Sequence, residues 1–315
     1  MTNGLFVVLN FSIIALTSAL TGVAFAVDKP FDCEQRISRA VCLSKPIRNV
    51  FRSKRILDRV CAGEGTKYVR KITEFYRLLP PVLQREMCSL DRIFIEKEFW
   101  ASGYAHPRLS VIGIHERFLE KRVSLSDWAT WKERRAFAID QIDEQIANGS
   151  PINLPIVKAT SPGRVLPAAF YIVAHELAHR IDLSMGITKA GAGRFAKLSW
   201  QGYGQHVRST TLPDYWRTPC FYMCRKKKIH LANATMVYKD LLGSSFVSLY
   251  ATSGPTEDFA ETVVYAILSR WQGVNLEIKL GRSRVLDLTS IRRNAILRRK
   301  LDFVEAILSN PGPIN

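Results

Sequence analysis

Two histidines four residues apart, His175 and His179, bracket the run His-Glu-Leu-Ala-His, with Glu176 directly after the first. On a helix, residues i and i+4 share a face, so both imidazoles can converge on one tetrahedral Zn²⁺. Glu176 then stands where it can take a proton from a metal-activated water. A catalytic zinc needs a third protein ligand and one open position. That ligand does not follow in the H-E-x-x-H-x-x-G-x-x-H manner, because Asp182 and Met185 occupy the positions where that pattern requires Gly and its last ligand. Downstream, Pro-Thr-Glu-Asp-Phe-Ala-Glu places Glu257 and Glu261 at i and i+4 beside Phe259 and Ala260. Two carboxylates facing apolar surroundings are costly unless something positive receives them. Zinc ligation by Glu257, with Glu261 orienting a ligand histidine from behind, accounts for both. The plainer alternative is an exposed acidic helix N-terminus complementing the dipole. Asp258, turned about 100° from Glu257, is expected to matter little beyond that N-terminus.

These residues need elements to hold them. Residues 167–182 run without a breaker from Pro167, with Gly186 beyond, and the apolar stretch before His175 implies a helix buried on most sides. A second helix is expected over 256–271 after the turn 252–255, and a packing helix over 290–308 with Leu297, Leu301, Val304 and Leu308 at helical spacing. Residues 92–99 and 109–114 are short, β-branched and bounded by turn formers, so both are expected as strands, and 246–250 as extended chain. Residues 126–148 are expected as a helix and 191–228 as a long irregular insertion. The fold class is therefore α+β, with the His-Glu-x-x-His helix packed against a small mixed sheet. His106 and His115 flank the second strand, where they either line a cleft or sit half-exposed; His206 and His230 have no partner at ligand spacing.

The run His-Glu-Leu-Ala-His-Arg-Ile-Asp, followed by Tyr250 and then Glu-Asp-Phe-Ala-Glu from Glu257 to Glu261, resembles the catalytic domain of anthrax-toxin lethal factor and related glutamate-ligand zincins. The resemblance spans residues 67–308, and its specific part is the two motifs. It implies a zincin-like fold and a zinc metalloendopeptidase acting on protein or peptide substrates, with metal ligands His175, His179 and Glu257. It further implies Glu176 as general base and Tyr250, seven residues before Glu257, as the donor that stabilises the oxyanion. A bound peptide is expected to lie extended along an edge strand such as 109–114. The gap between His179 and Glu257 is longer than the family pattern, and the insertion fills it.

Residues 1–26 hold no charged side chain and end in Ala-Phe-Ala, so they are expected to be a signal peptide cleaved before Val27, the alternative being an uncleaved N-terminal anchor. A helical, cysteine-bearing extension over 27–88 and a catalytic domain over 89–315 complete the expected organisation. Cys33, Cys42, Cys61, Cys88, Cys220 and Cys224 all follow the cleavage site, and six cysteines in an exported chain favour disulfides, in a secreted or periplasmic location. Cys220 and Cys224 alternatively form half of a metal site that nothing else completes. After signal removal no membrane span is expected. The formal charge of +17 invites an anionic partner such as an envelope surface, but the basic residues are scattered and carry no nucleic-acid signature, which disfavours nucleic acid. A reading from a different class is a catalytically silent zincin-fold protein that binds anionic envelope polymers.

Overall fold

The computed structural model describes residues 30–44, 63–121, 123–137, 154–161, 165–189, 193–201, 207–208, 229–281, 283–287 and 294–309. The expected signal peptide and most of the expected insertion lie outside them, as do Cys61, His206, Cys220 and Cys224. Among the described residues no helix is long and apolar enough to cross a membrane.

The chain is mixed α+β. It begins with α1 (Pro30–Ala40), β1 (Val41–Leu43), β2 (Gly63–Glu64), α2 (Thr66–Leu78) and α3 (Pro81–Cys88). Pro80 and Pro81 separate the last two, since neither proline can donate a helical hydrogen bond. Next come β3 (Arg92–Glu96), β4 (Gly103–Ala105), β5 (Val111–His115), α4 (Glu116–Glu120), α5 (Leu125–Arg134) and β6 (Pro155–Thr160). The remainder is α6 (Ala168–Met185), β7 (Trp200–Gln201), β8 (Val207–Arg208), α7 (Ala234–Gly243), α8 (Pro255–Ala266), β9 (Asn275–Leu280), β10 (Ser283–Asp287) and α9 (Ala295–Ser309).

The main sheet has the order β2-β1-β3-β5-β4. Its three central strands are parallel, while β2 and β4 run antiparallel at the two edges. A smaller antiparallel sheet has the order β10-β9-β6. Pairing of β1 with β3 and a disulfide between Cys33 and Cys88 tie the N-terminal segment to the sheet, and the main hydrophobic core runs from Cys33 to Leu308. Cys42 is also disulfide-bonded.

Several expected elements shift. The strand expected over 109–114 is β5, flanked by β3 and β4, so its backbone is already paired and it cannot receive a peptide. The edge strand beside it is β4, a three-residue strand too short for an alternation signal. Residues 246–249 are not a strand, and Tyr250 opens a 3₁₀ turn, Tyr250–Ser253. The helix expected over 126–148 is observed as α5, which ends at Arg134; residues 138–153 lie outside the description. The helix expected to Trp271 passes from α8 into a π-helical turn, Ile267–Trp271.

Buried on nearly every side, α6 is the central element, closed by Gly186 in the left-handed region at φ 64° with its N–H on the Asp182 carbonyl. It packs against α8, which starts at Pro255 in the first helical turn. Arg180 pins the β4–β5 hairpin to α6 by donating to the carbonyls of His106 (3.2 Å) and Leu109 (2.9 Å). The C-terminal α9 is keyed to α8 by an ion pair between Lys300 and Asp258, both 0% exposed. Trp200 Nε1 also donates to Asp258 at 3.0 Å, and Lys300 donates to the Ser245 carbonyl at 2.6 Å. Asp258 is thus a buried partner, which corrects the expectation that it is dispensable.

Breaking a buried pair by removing one partner strands the other charge and costs about 3–5 kcal/mol. Lys300→Met should therefore lower the urea unfolding free energy by that amount, and adding Asp258→Leu should recover much of it. A loss below about 1 kcal/mol for Lys300→Met would contradict this role.

Candidate metal centre

Packing α6 on α8 brings three donor atoms together. His175 Nε2 lies 3.1 Å from His179 Nε2 and 3.1 Å from Glu257 Oε2, and His179 Nε2 lies 3.4 Å from the same oxygen. Four-coordinate tetrahedral bonding at about 2.0–2.1 Å requires neighbouring donor atoms about 3.3–3.4 Å apart, so the triangle is close to what one small cation needs. These side chains form a group that could hold a metal ion.

The charges agree with the geometry. Glu176, Glu257 and Glu261 crowd two imidazoles, and among the described residues lining the cleft Lys132 is the lysine beside them. Without a metal, a histidine must supply the missing positive charge. Burial pushes His175 down, yet Glu257 and Glu261 outweigh it and hold the imidazole at about 10. Burial likewise raises Glu257, but the two histidines hold its carboxyl well below the usual range. Two ring nitrogens face each other at 3.1 Å, which neutral lone pairs would resist. A divalent cation resolves both conditions by replacing the proton, so the residues fit the expected group.

Behind the triangle, Glu261 is 0% exposed and fully partnered. Lys132 Nζ donates to its Oε2 at 2.5 Å, Ser248 Oγ to the same oxygen at 2.6 Å, and the Tyr171 hydroxyl to Oε1 at 2.7 Å. Oε1 also faces His175 Nδ1 at 3.2 Å, an ionic contact off the line of a straight hydrogen bond. Burial raises Glu261, but Lys132 and His175 prevail and bring it to about 2.

In front lies a cleft of about 390 Å³ whose walls include β4, α6, Lys132, Tyr250, Glu257 and Glu261. Glu176 lines it, and burial raises that carboxyl against the pull of both histidines. Gly103 on β4 makes room for it: a Cβ there would stand 2.8 Å from Glu176 Oε1 and 2.8 Å from Ile172. The Tyr250 ring lies 6.0 Å from that of His175.

The structure thus gathers His175, His179, Glu257, Glu176, Glu261 and Tyr250 around one cleft. The other described histidines are elsewhere and serve the backbone. His106 Nδ1 accepts from the amides of Arg108 and Leu109, His115 Nδ1 from Arg117, and His230 Nδ1 from Ala232. Sequence reasoning missed Lys132 and Gly103. The available signal for Lys132 was its position four residues after Trp128 on one helix face; Gly103 carried none.

Titrating metal-free protein with Co²⁺ should fill one tetrahedral site per chain, giving intense visible absorption. Glu257→Ala, His175→Ala and His179→Ala should each abolish that band, and Glu176→Gln should keep it. A full-strength band from Glu257→Ala would remove Glu257 from the triangle.

No family model, curated protein or solved structure matches this chain.

Proposed function

We propose that the chain is an exported zinc-dependent endopeptidase of the glutamate-ligand zincin type, with His175, His179 and Glu257 as zinc ligands. The observation that carries this reading is the 3.1, 3.1 and 3.4 Å triangle with an additional buried carboxylate, Glu176, beside it in an open cleft. A purely structural zinc site is closed by its four ligands and has no use for that carboxylate. Zinc bound there supplies a Lewis acid that polarises a carbonyl and lowers the pKa of water.

The chain's own residues do the rest. Glu176 takes a proton from the attacking water and delivers it to the departing amine, and its raised affinity for protons suits a group that must hold one between the two events. The Tyr250 hydroxyl donates to the carbonyl oxygen as negative charge develops on it. β4 is an edge strand of the described sheet and lines the cleft, where an extended peptide can add as a further strand. Export is supported by the Cys33–Cys88 disulfide and the disulfide-bonded Cys42, since such bonds persist in oxidising compartments.

Loss of a general base costs roughly 10²–10⁴-fold. Glu176→Gln should keep its zinc and lose at least that much activity on a quenched-fluorescence peptide library that the wild type cleaves. Cleavage within tenfold of wild type would sink the mechanism.

Gly103→Ala tests the same carboxylate from the opposite strand. Its methyl group must displace Glu176 Oε1, and misplacing a catalytic group by about 1 Å can cost roughly 10²-fold. Full zinc occupancy with kcat lowered by about that factor is expected. An unchanged kcat would show that Glu176 does not need this space.

A further inference from the structure

Lys132 is an unusual lysine. It is 5% exposed, comes from α5 rather than from either motif-bearing helix, and reaches Glu261 across 129 residues of sequence. Its ammonium is enclosed by aromatic rings: Tyr171 at 4.8 Å, Tyr250 at 4.9 Å and Trp128 at 5.2 Å from their centroids. It donates to Glu261 Oε2 at 2.5 Å and to the Tyr171 hydroxyl at 3.0 Å, and that hydroxyl donates to the other oxygen of the same carboxylate. Lysine stems resist this kind of enclosure, because ordering one costs up to about 2 kcal/mol of rotamer entropy and desolvating its charge costs more. Stability alone is a poor reason for the arrangement, since an apolar pair in place of a buried ion pair is often equally stable.

The geometry points to Lys132 as a positioning residue for the metal centre. We propose that it, with Tyr171 and Ser248, clamps the Glu261 carboxylate so that Oε1 is held against His175 Nδ1, fixing the ring whose Nε2 faces the metal position. Partners behind a metal-ligating histidine set its ring orientation and tautomer, and losing one weakens metal affinity by roughly 10–100-fold. Glu261 does this as a carboxylate that three donors hold in one orientation. Lys132 is the charged one of the three, and the ring of Tyr250 over the same ammonium ties the cleft wall to the clamp. The proposal rests on the metal-site reading above, but not on peptidase activity.

The experiment is Zn²⁺ affinity by chelator competition, with the Co²⁺ visible spectrum as second readout, on wild type, Lys132→Met, Lys132→Arg, Glu261→Gln and the Lys132→Met/Glu261→Gln pair. Lys132→Met and Glu261→Gln should each bind zinc roughly 10–100-fold more weakly and shift the Co²⁺ band. The pair should be no weaker than Glu261→Gln by more than about twofold, because Lys132 acts only through that carboxylate. Lys132→Arg, which keeps the cation, should restore most of the affinity. The paired variant leaves no lone buried charge, so it keeps the comparison with Glu261→Gln in force even where Lys132→Met does not fold. Wild-type affinity in Lys132→Met, or losses that multiply in the pair, would overturn the proposal. Wild-type protein that binds zinc and cleaves nothing would instead remove the peptidase reading and leave this one standing.

Discussion

α8 carries three acidic side chains, Glu257 half-buried at its seam with α6 and Asp258 and Glu261 fully buried, and each of them has to find a positive partner. Placing a charge in an apolar seam is expensive unless it is paired and hydrogen-bonded. Helical rotation of about 100° per residue keeps Glu257 and Glu261 on one face and turns Asp258 away. Glu257 turns to His175 and His179, Asp258 turns away to Lys300, and Glu261 lies behind His175 against Lys132. Much of the surrounding architecture follows from this one requirement. α5 must bring Lys132 in from one side, and α9 must bring Lys300 in from the other.

The consequence for the site is rigidity. His175 is fixed by Glu257 at one ring nitrogen and by Glu261 at the other, while Glu261 is itself fixed by three donors from three segments of chain. The front of the site is built differently. β4 is a short edge strand, and Arg180, the residue after His179, holds its hairpin in place through backbone carbonyls. A fixed rear wall and an open front edge are what a centre needs if it is to hold a cation firmly and still admit an extended chain.

How much of this could be read from sequence depended on whether the signal was local. The α6 helix was legible because an unbroken apolar run, a preceding proline and a following glycine all agree with one another. Glu257 and Glu261 were legible because i, i+4 spacing puts them on one face. Asp258 was misjudged since an acidic residue near a helix N-terminus ordinarily faces water, and only the distant Lys300 shows that this one does not. Lys132 was passed over for a similar reason: lysines on amphipathic helices usually mark the solvent side, and its partner lies far away in sequence. The edge strand was misplaced because β5 carries the hydrophobic signature while β4, Gly-Tyr-Ala, carries almost none. What α5 and β4 contribute is tertiary, so it could not appear in a local pattern.

Whether the three atoms facing each other at the α6–α8 seam hold a metal can be read from X-ray absorption at the zinc edge of the purified chain. One zinc per chain is expected, bound by two imidazole nitrogens and oxygen donors at about 2.0–2.2 Å and by no sulfur. Coordination dominated by sulfur at about 2.3 Å would move the zinc to the cysteines, and protein that takes up no zinc would show that His175, His179 and Glu257 are not zinc ligands.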